Sequence, residues 1–497
     1  SRTGLALPMV EVTLQAMGSG GMCDQVGGGF HRYSVDAQWR VPHFEKMLYD
    51  QAQLVLAYIE AYQATGRTEF KMVALNALSY VHREMTDSGG GFYSAEDADS
   101  VPPQDGGSPS GGRMEPREGA FYVWTRDEIE DIFANDADVV CARYGIEVEG
   151  NAPEDPHGEF DKQNILYEAR SIEDVARLTD RSTDDVAKVT VSALERLYKV
   201  RGARQRPNLD DKVLSGWNGL MIAAFARGAR VFEFAGGATS PLLTTAQSAA
   251  RFVRDALWDK DRQRLLRRYR RGQAAIDGYS EDYAYTIWGL LELFQADFDP
   301  DWLDWAKALQ AKQNELFWDA EAGGWFATTG EDLSVLLRLR EDYDGAEPSA
   351  SAVSVLNLLT FSQLTGDEMW VNQIEKTLGR LSGNDGSLAR IMPMMMAGLS
   401  VYHQHRPQVV IVGHRDGAST RAMLAALASC YTPATVVLLV EPGDHQSRMA
   451  ELLPFVGNMK MLDDLATAYV CKDFSCDAPT TNTAVLVEAI NPRSTDT

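Results

Sequence analysis

The segment from Gly27 to Gln53, GGGFHRYSVDAQWRVPHFEKMLYDQAQ, gathers His31, Arg32, Tyr33, Asp36, Trp39, His43, Glu45, Tyr49 and Asp50 within 27 residues. A solvated loop has little use for so many rings, and a core does not tolerate so many ionisable groups. The mixture suits a concave site for a polar ligand, where rings supply flat contact and a few polar groups fix orientation. Histidine titrates near neutrality, so His43 or His31 can accept and return a proton. Carboxylates offer a second route, because a pair of them can serve as acid and base in glycoside cleavage. The carboxyl candidates are Glu45, Asp50, Glu96, Asp97, Asp99, Glu281, Asp282, Asp344 and Glu347. Spacing in sequence leaves the two routes open. The roles expected are His43 as base, with Glu45 and Asp50 beside it, and Glu281 or Asp282 as the partner acid. His31, Arg32, Trp39, Tyr49, Glu96, Asp97, Trp217, Asn218, Tyr283 and Glu347 are expected to contact the ligand. Trp39, Tyr49, Tyr93, Trp124, Trp217, Tyr283 and Trp325 are the rings available as stacking walls, and about half of them belong in a core.

Other chemistries match poorly. The run AEDADS at 95–100 lacks the twelve-residue spacing and closing Glu of a calcium loop. Cys471 and Cys476 in CKDFSC have a spacing that suits a redox pair, but no third and fourth ligand nearby completes a zinc site. Five cysteines in 497 residues cannot form a disulfide framework. VVIVGHRDG lacks both GxGxxG and a P-loop, and there is no Ser-His-Asp arrangement, HExxH or CxxC. No metal and no cofactor is therefore expected. Lys plus Arg number 47 against 71 Asp plus Glu, a net charge of −24 that repels nucleic-acid phosphates. No apolar run reaches the ~18 residues of a membrane span, and the N-terminus lacks a signal-peptide layout. The expectation is a soluble, cytoplasmic protein whose partner is a small polar, sugar-like ligand rather than nucleic acid or a membrane.

The elements that must hold these residues are mostly helical. Apolar residues recur three and four apart over roughly 5–18, 43–65, 68–86, 183–200, 211–235, 241–257, 280–296, 299–317, 348–366, 369–383 and 390–404. The second of these puts His43, after Pro42, at a helix start. GGGF at 27–30 returns as GGGFYSAED at 89–97 and GGWFATT at 323–329, and ALWDKDRQRLLRRY at 256–269 matches LFWDAEAGGWFAT at 316–328. A repeat near sixty residues, made of two helices and a Gly-aromatic turn, is the mark of stacked helix pairs. Glycine supplies the positive φ of such a turn and the aromatic after it pins the turn down. Helices near 43, 215, 280 and 347 open on polar or acidic residues, so in a ring of helix pairs their starts converge on a central funnel. Residues 98–119 are too rich in Gly, Pro and Ser for regular structure and read as a mobile loop. EGAFYVWT at 118–125 reads as a short strand, 126–144 as one or two short helices, and 146–180 as irregular. From His405 the pattern changes: PQVVIVG and TPATVVLLVEPG are continuous apolar runs typical of buried parallel strands, with a helix between them. The division expected is a helical toroid over 1–404 and a small α/β appendage over 405–497.

GGGFHRYSVDAQWRVPHFEKMLYDQAQL, GGGFYSAEDADS, EGAFYVWT, KVLSGWNGLM, EDYAY and DGAEPSASAV, in this order, resemble the spermatogenesis-associated protein 20 family from about Thr13 to AYVCKDFSC. The resemblance implies a mainly α, six-hairpin (α/α)6 toroid, similar to N-acylglucosamine 2-epimerases and several glycosidases. It also implies an N-terminal thioredoxin-like domain with a CxxC in family members, which makes such a domain a candidate partner. This chain is expected to begin after that domain and after the first inner helix of the toroid. In epimerase-like relatives a His pair shuttles a proton at a sugar carbon. Here His31 and His43 share one segment, which leaves His43 as the candidate. The leading reading is a toroid that binds a carbohydrate or similar polyol and acts on it as an isomerase, epimerase or hydrolase. The alternative is a non-enzymatic binding or scaffold module partnered with the thioredoxin-like domain, in a redox or regulatory role.

Overall fold

A computed structural model describes residues 2–102, 115–152, 160–233, 240–331, 334–381, 387–404, 406–472 and 475–490. The chain separates into two compact units, the first comprising Ser1–Ala61, Arg67–Met85 and Tyr93–Asp211, the second Tyr62–Gly66, Thr86–Phe92 and Lys212–Thr497. Both are mainly helical and both carry small sheets.

Unit 1 is built on α1 (Ala6–Ser19), α2 (Leu48–Thr65, whose last turn groups with unit 2), α3 (Thr68–Glu84), α4 (Arg126–Phe133), α5 (Ala137–Tyr144), α6 (Ile172–Thr179) and α7 (Thr183–Arg201). Thr125 and Glu128 form a reciprocal capping box at the start of α4, while Ser171 and Ser182 cap α6 and α7. The apolar faces of α4, α5 and α7 close around Trp124, Ile129, Val140 and Leu197. Short strands pair between the helices: Tyr33–Ser34 with Pro42–His43, Lys46–Met47 with Ala95–Glu96, Ala95–Glu96 with Leu209–Asp210, and Asp99–Ser100 with Arg117–Glu118.

Three local expectations are corrected here. His43 does not open a helix: the first helical residue is Leu48, and residues 42–47 are drawn into strand pairing before it. The run 118–125 is not a strand: pairing stops at Glu118, a turn follows around Gly119 (φ +72°), and Trp124 makes a lone bridge to Asn164. The segment 146–180 contains α6, whose Ser171 cap and acidic first turn were signals passed over. The loop at 98–119 pairs at its two ends, and its middle, 103–114, lies outside the described residues.

Unit 2 begins with α8 (Ser215–Phe232) and α9 (Pro241–Phe252), then a β-hairpin of Arg264–Arg270 and Gln273–Asp277. Arg271 (φ +50°) and Gly272 (φ +82°) make its two-residue turn, the primed geometry that matches strand twist. After it come α10 (Ser280–Asp297), α11 (Pro300–Phe317), α12 (Ala350–Thr365), α13 (Glu368–Gly379) and α14 (Pro393–His403). The pairs α10/α11 and α12/α13 turn back across two residues each, which makes helical hairpins. Helices α8, α10 and α12 are apolar nearly all round and are buried accordingly. Helices α8 and α10 touch backbone to backbone: a Cβ on Gly289 would lie 2.4 Å from the Gly219 carbonyl oxygen, and one on Gly219 equally close to Tyr285. The unit ends in a mixed sheet whose strands Gln408–Val412 and Val436–Val440 are parallel, as their apolar runs suggested. Thr467–Lys472 pairs antiparallel to the first, and the helices α15 (Ala418–Ala428), α16 (Asp444–Leu452) and α17 (Thr483–Ile490) accompany it. Cys471 and Cys476, register partners in the closing hairpin, form a disulfide.

The recurring turns are one device used four times. Phe30 bridges back to Cys23, Phe92 to Thr86, Leu265 to Trp258, and Trp325 to Trp318. All four returning side chains are buried. Each turn opens on an aspartate, Asp24, Asp87, Asp259 or Asp319, whose Oδ1 accepts backbone N–H groups two or three residues on.

Candidate functional site

In unit 2 the starts of α8, α10 and α12 lie at one end and place their polar residues together. Asp282 Oδ1 accepts from Ser215 Oγ and from the Gly216 N–H, both at 3.2 Å, at the start of α8. Trp217, one residue further on, donates from Nε1 to Glu347 Oε2 at 2.8 Å, just ahead of α12. Arg267, from the hairpin, bridges Glu281 Oε1 at 2.9 Å and Asp282 Oδ2 at 2.8 Å, with its guanidinium 4.6 Å from the Tyr279 ring centre. Trp217, Glu281 and Glu347 are half-buried, so they can meet solvent and a ligand. Asp282 is buried and its oxygens are fully engaged, the second also accepting from the Tyr279 N–H.

The electrostatics follow from this crowding. Burial pushes the Glu347 carboxyl up to about 7, with the Glu281 and Asp282 charges adding to it, while the Trp217 hydrogen bond and Arg267 oppose. Burial and the Asp282 charge also raise Glu281, against Arg267. Arg267 is held firmly protonated because its two carboxylates outweigh its own burial. A carboxyl poised near neutral pH beside a second carboxyl can give and take protons.

Unit 1 holds a second polar group. His43 Nδ1 lies 2.7 Å from Glu118 Oε1, and its Nε2 lies 3.6 Å from Glu45 Oε2. Glu45 also pairs with Arg32 at 3.0 Å, and the Tyr33 ring stacks on His43 at 5.1 Å. Asp99 is raised by burial and then by Asp97 and Glu118, with His43 opposing. The imidazole is half-buried and flanked by carboxylates on both sides.

The other expected contacts are distributed differently. His31 is buried, with Nδ1 at 2.9 Å from the Phe44 carbonyl oxygen, and burial followed by Lys46 pushes it down to about 3. It is a neutral core imidazole. Asn218 is buried and brackets the Phe92 backbone, accepting from its N–H and donating to its C=O. Tyr283 is buried, its hydroxyl accepting from the Leu265 N–H. Tyr49 is buried and hydrogen-bonded to Arg32, and Asp50 sits in the first turn of α2. Glu96 is buried and takes Arg206, Tyr80 and Tyr122. Asp97 is exposed, and Asp344 ties down the Ser349 and Met394 N–H groups. Of the seven candidate walls, Tyr49, Trp124, Tyr283 and Trp325 are core, whereas Trp39, Tyr93 and Trp217 retain open surface.

Three residues central to these groups were missed. Arg267 lies in RLLRRYR, whose Arg-Gly turn signal would have exposed the hairpin. Tyr279 directly precedes the helix start that offered Glu281 and Asp282, and it was not among the rings singled out. Glu118 was absorbed into the supposed strand. Among the described residues no group of three or more His, Cys, Asp or Glu could hold a metal ion, and no helix is long and apolar enough to cross a membrane.

No family model matches the chain. Among solved structures it is similar to D-mannose isomerase, at 13% identity and TM-score 0.33, over 75% of this chain and 85% of that one. It is also similar to cellobiose 2-epimerase from Bacillus thermoamylovorans, at 10% identity and TM-score 0.32, over 77% of this chain and 90% of that one. Likeness at these scores leaves the chemistry to the residues themselves. Sequence relatives are far nearer. Spermatogenesis-associated protein 20 of Mus musculus is 38% identical over 501 residues, covering 96% of this chain and 61% of that protein. An uncharacterized protein of Caenorhabditis elegans is 29% identical, over 98% of this chain and 66% of its own length. Spermatogenesis-associated protein 20 of Homo sapiens is 38% identical along 98% of this chain, which spans 63% of that human relative.

Proposed function

We propose that unit 2 binds a sugar-like polyol at the starts of α8, α10 and α12 and acts on it by acid/base catalysis, as an isomerase, epimerase or glycoside hydrolase. The observation that carries this reading is Glu347, a half-buried carboxyl held at about 7 against the Trp217 ring. Glu347 then carries the proton. Glu281, paired with Arg267, stabilises positive charge or takes the complementary proton, and Trp217 and Tyr279 offer faces to a sugar ring. His43, between Glu45 and Glu118, gives unit 1 a candidate proton carrier of its own.

The test is to incubate the chain with mannose, glucose and cellobiose in D2O. Proton spectra report carbon-bound deuterium for an isomerase or epimerase and released monosaccharide for a hydrolase. The expected result is turnover with a pH limb near 7 that Glu347→Gln removes while leaving the helical circular dichroism intact. Sugar-dependent quenching of tryptophan fluorescence without turnover would favour the non-enzymatic binding module, whose partner would be a thioredoxin-like domain. Neither quenching nor turnover with any sugar would end the carbohydrate reading.

A further inference from the structure

Unit 1 contains a cleft unrelated to the carboxyl cluster of unit 2, enclosing about 390 Å³, part of it open to solvent. Its floor is a buried ionic knot. Asp24 Oδ1 and Oδ2 take the two terminal nitrogens of Arg201 at 2.8 and 2.9 Å, and Lys46 Nζ reaches Oδ2 at 2.9 Å. At its mouth Arg83 and Arg206, partly exposed, flank Glu84.

Counting donors against acceptors shows what is missing. Asp24 also accepts from the Val26 and Gly27 N–H groups. Glu96 accepts from Tyr80, Tyr122 and two nitrogens of Arg206. Glu84 accepts from Arg83 Nε, the Tyr198 hydroxyl and Arg206 Nη1. Asp24 and Glu96 are thus saturated, and Glu84 has most of its acceptor positions taken. A guanidinium carries about five N–H donors. Arg206 spends three of its own on Glu84 and Glu96, while Arg83 is engaged by Glu84, the Gly27 carbonyl, Ser79 and Tyr198. The donors left over belong to the two cleft-lining side chains that keep open surface. Four cations line the cleft against three carboxylates, a local positive excess in a chain of net charge −24. The guanidinium groups are also fixed in place, Arg83 at 5.0 Å from the Tyr198 ring centre and Arg206 at 5.5 Å from that of Phe121.

We propose that this cleft binds a small oxyanion, the carboxylate or phosphate group of a ligand, through Arg83 and Arg206. A further cation is disfavoured by four positive side chains set against three largely engaged carboxylates. An oxyanion supplies the acceptors that the two forks lack, and guanidinium groups match its geometry.

The test is calorimetric titration of the whole chain with sodium phosphate and with sodium acetate at constant ionic strength, using sodium chloride as the control. Saturable binding of one anion is expected, and the tighter of the two identifies the group. Arg206→Gln and Arg83→Gln should each weaken it by about tenfold or more. Arg206 also supports buried Glu96, so the partly exposed Arg83 gives the variant that keeps its fold. The proposal fails if neither anion saturates, if chloride gives the same response, or if Arg83→Gln binds as tightly as the parent chain.

Discussion

Glu347 titrates where most carboxyls do not, and the sign of its effect on stability follows. Its folded value of about 7 lies above the ordinary 4.5, so the folded chain holds a proton that the unfolded chain releases. The stability from this group is fully present below about 4.5 and is lost as pH rises through 7. Glu347 is half-buried, which trims the effect to about 1–2 kcal/mol. Urea unfolding of the parent chain should therefore weaken between pH 5 and pH 8 relative to Glu347→Gln, whose curve should be flatter. Parallel curves would mean the carboxyl is not perturbed. His43 differs from His31, because its ring nitrogens both face carboxylates and its ring is only half-buried. His43→Gln should leave melting within about 1 kcal/mol of the parent, whereas His31→Ala, which cuts a buried ring away from Phe44, should cost about 2–4 kcal/mol. Much of this was legible in the sequence. Glu281, Asp282, Trp217 and Glu347 were readable because helix starts gather polar residues. The demotion of His31, Asn218 and Tyr283 to the core was not readable, because a polar side chain that finds a backbone partner looks no different in sequence from one that faces a ligand.

Elements were read best where periodicity was long. The boundaries of α8, α10, α11 and α12 fell within a few residues of expectation, since buried helices advertise themselves by apolar runs. Two-residue strands such as Pro42–His43 carry no periodic signal, and the neighbouring helical pattern swallowed them. Three copies of the turn were legible through their glycines and aromatics and the fourth through its match to LFWDAEAGGWFAT, but the aspartate that opens each copy was overlooked. Glycine matters differently where α8 meets α10. Gly289→Ala would drive a methyl to 2.4 Å from the Gly219 carbonyl oxygen, and neither backbone can yield without moving a buried helix. The expected cost is about 1–3 kcal/mol, read as a melting point several degrees lower. Gly379→Ala, at the end of α13 where a Cβ meets nothing within 4 Å, should instead be neutral or stabilising by about 0.5–1 kcal/mol. Equal effects at both positions would contradict the close helix contact.

At the scale of the whole chain, the two units answer to pH in opposite senses. Burial works to raise the Asp24 carboxyl, but Arg201 and Lys46 outweigh it and hold the group well below 3.8. Its contribution is therefore present above about 3.8 and is lost as pH falls through the lower, folded value. Protonating Asp24 leaves Lys46 and Arg201 buried without their ion-pair partner and with only the more distant Glu96 to offset them, so the loss is steep, and Asp24→Asn should mimic it at neutral pH with a cost of about 3–5 kcal/mol. The Glu347 window, from about 4.5 to about 7, belongs to unit 2 and does not overlap it. Hydrogen exchange resolved by peptide separates the two. From pH 8 to 5, once intrinsic exchange rates are corrected, protection should rise in the α8, α10 and α12 peptides and stay level in α7. Below about pH 4, protection should fall first in peptides covering Asp24, Lys46 and α7. In Asp24→Asn those unit 1 peptides should already be less protected at neutral pH, with the pH response of α10 unchanged. If acid releases α10 before α7, the buried knot is not what sets the acid limit of unit 1, and the opposed titrations of the two units are refuted.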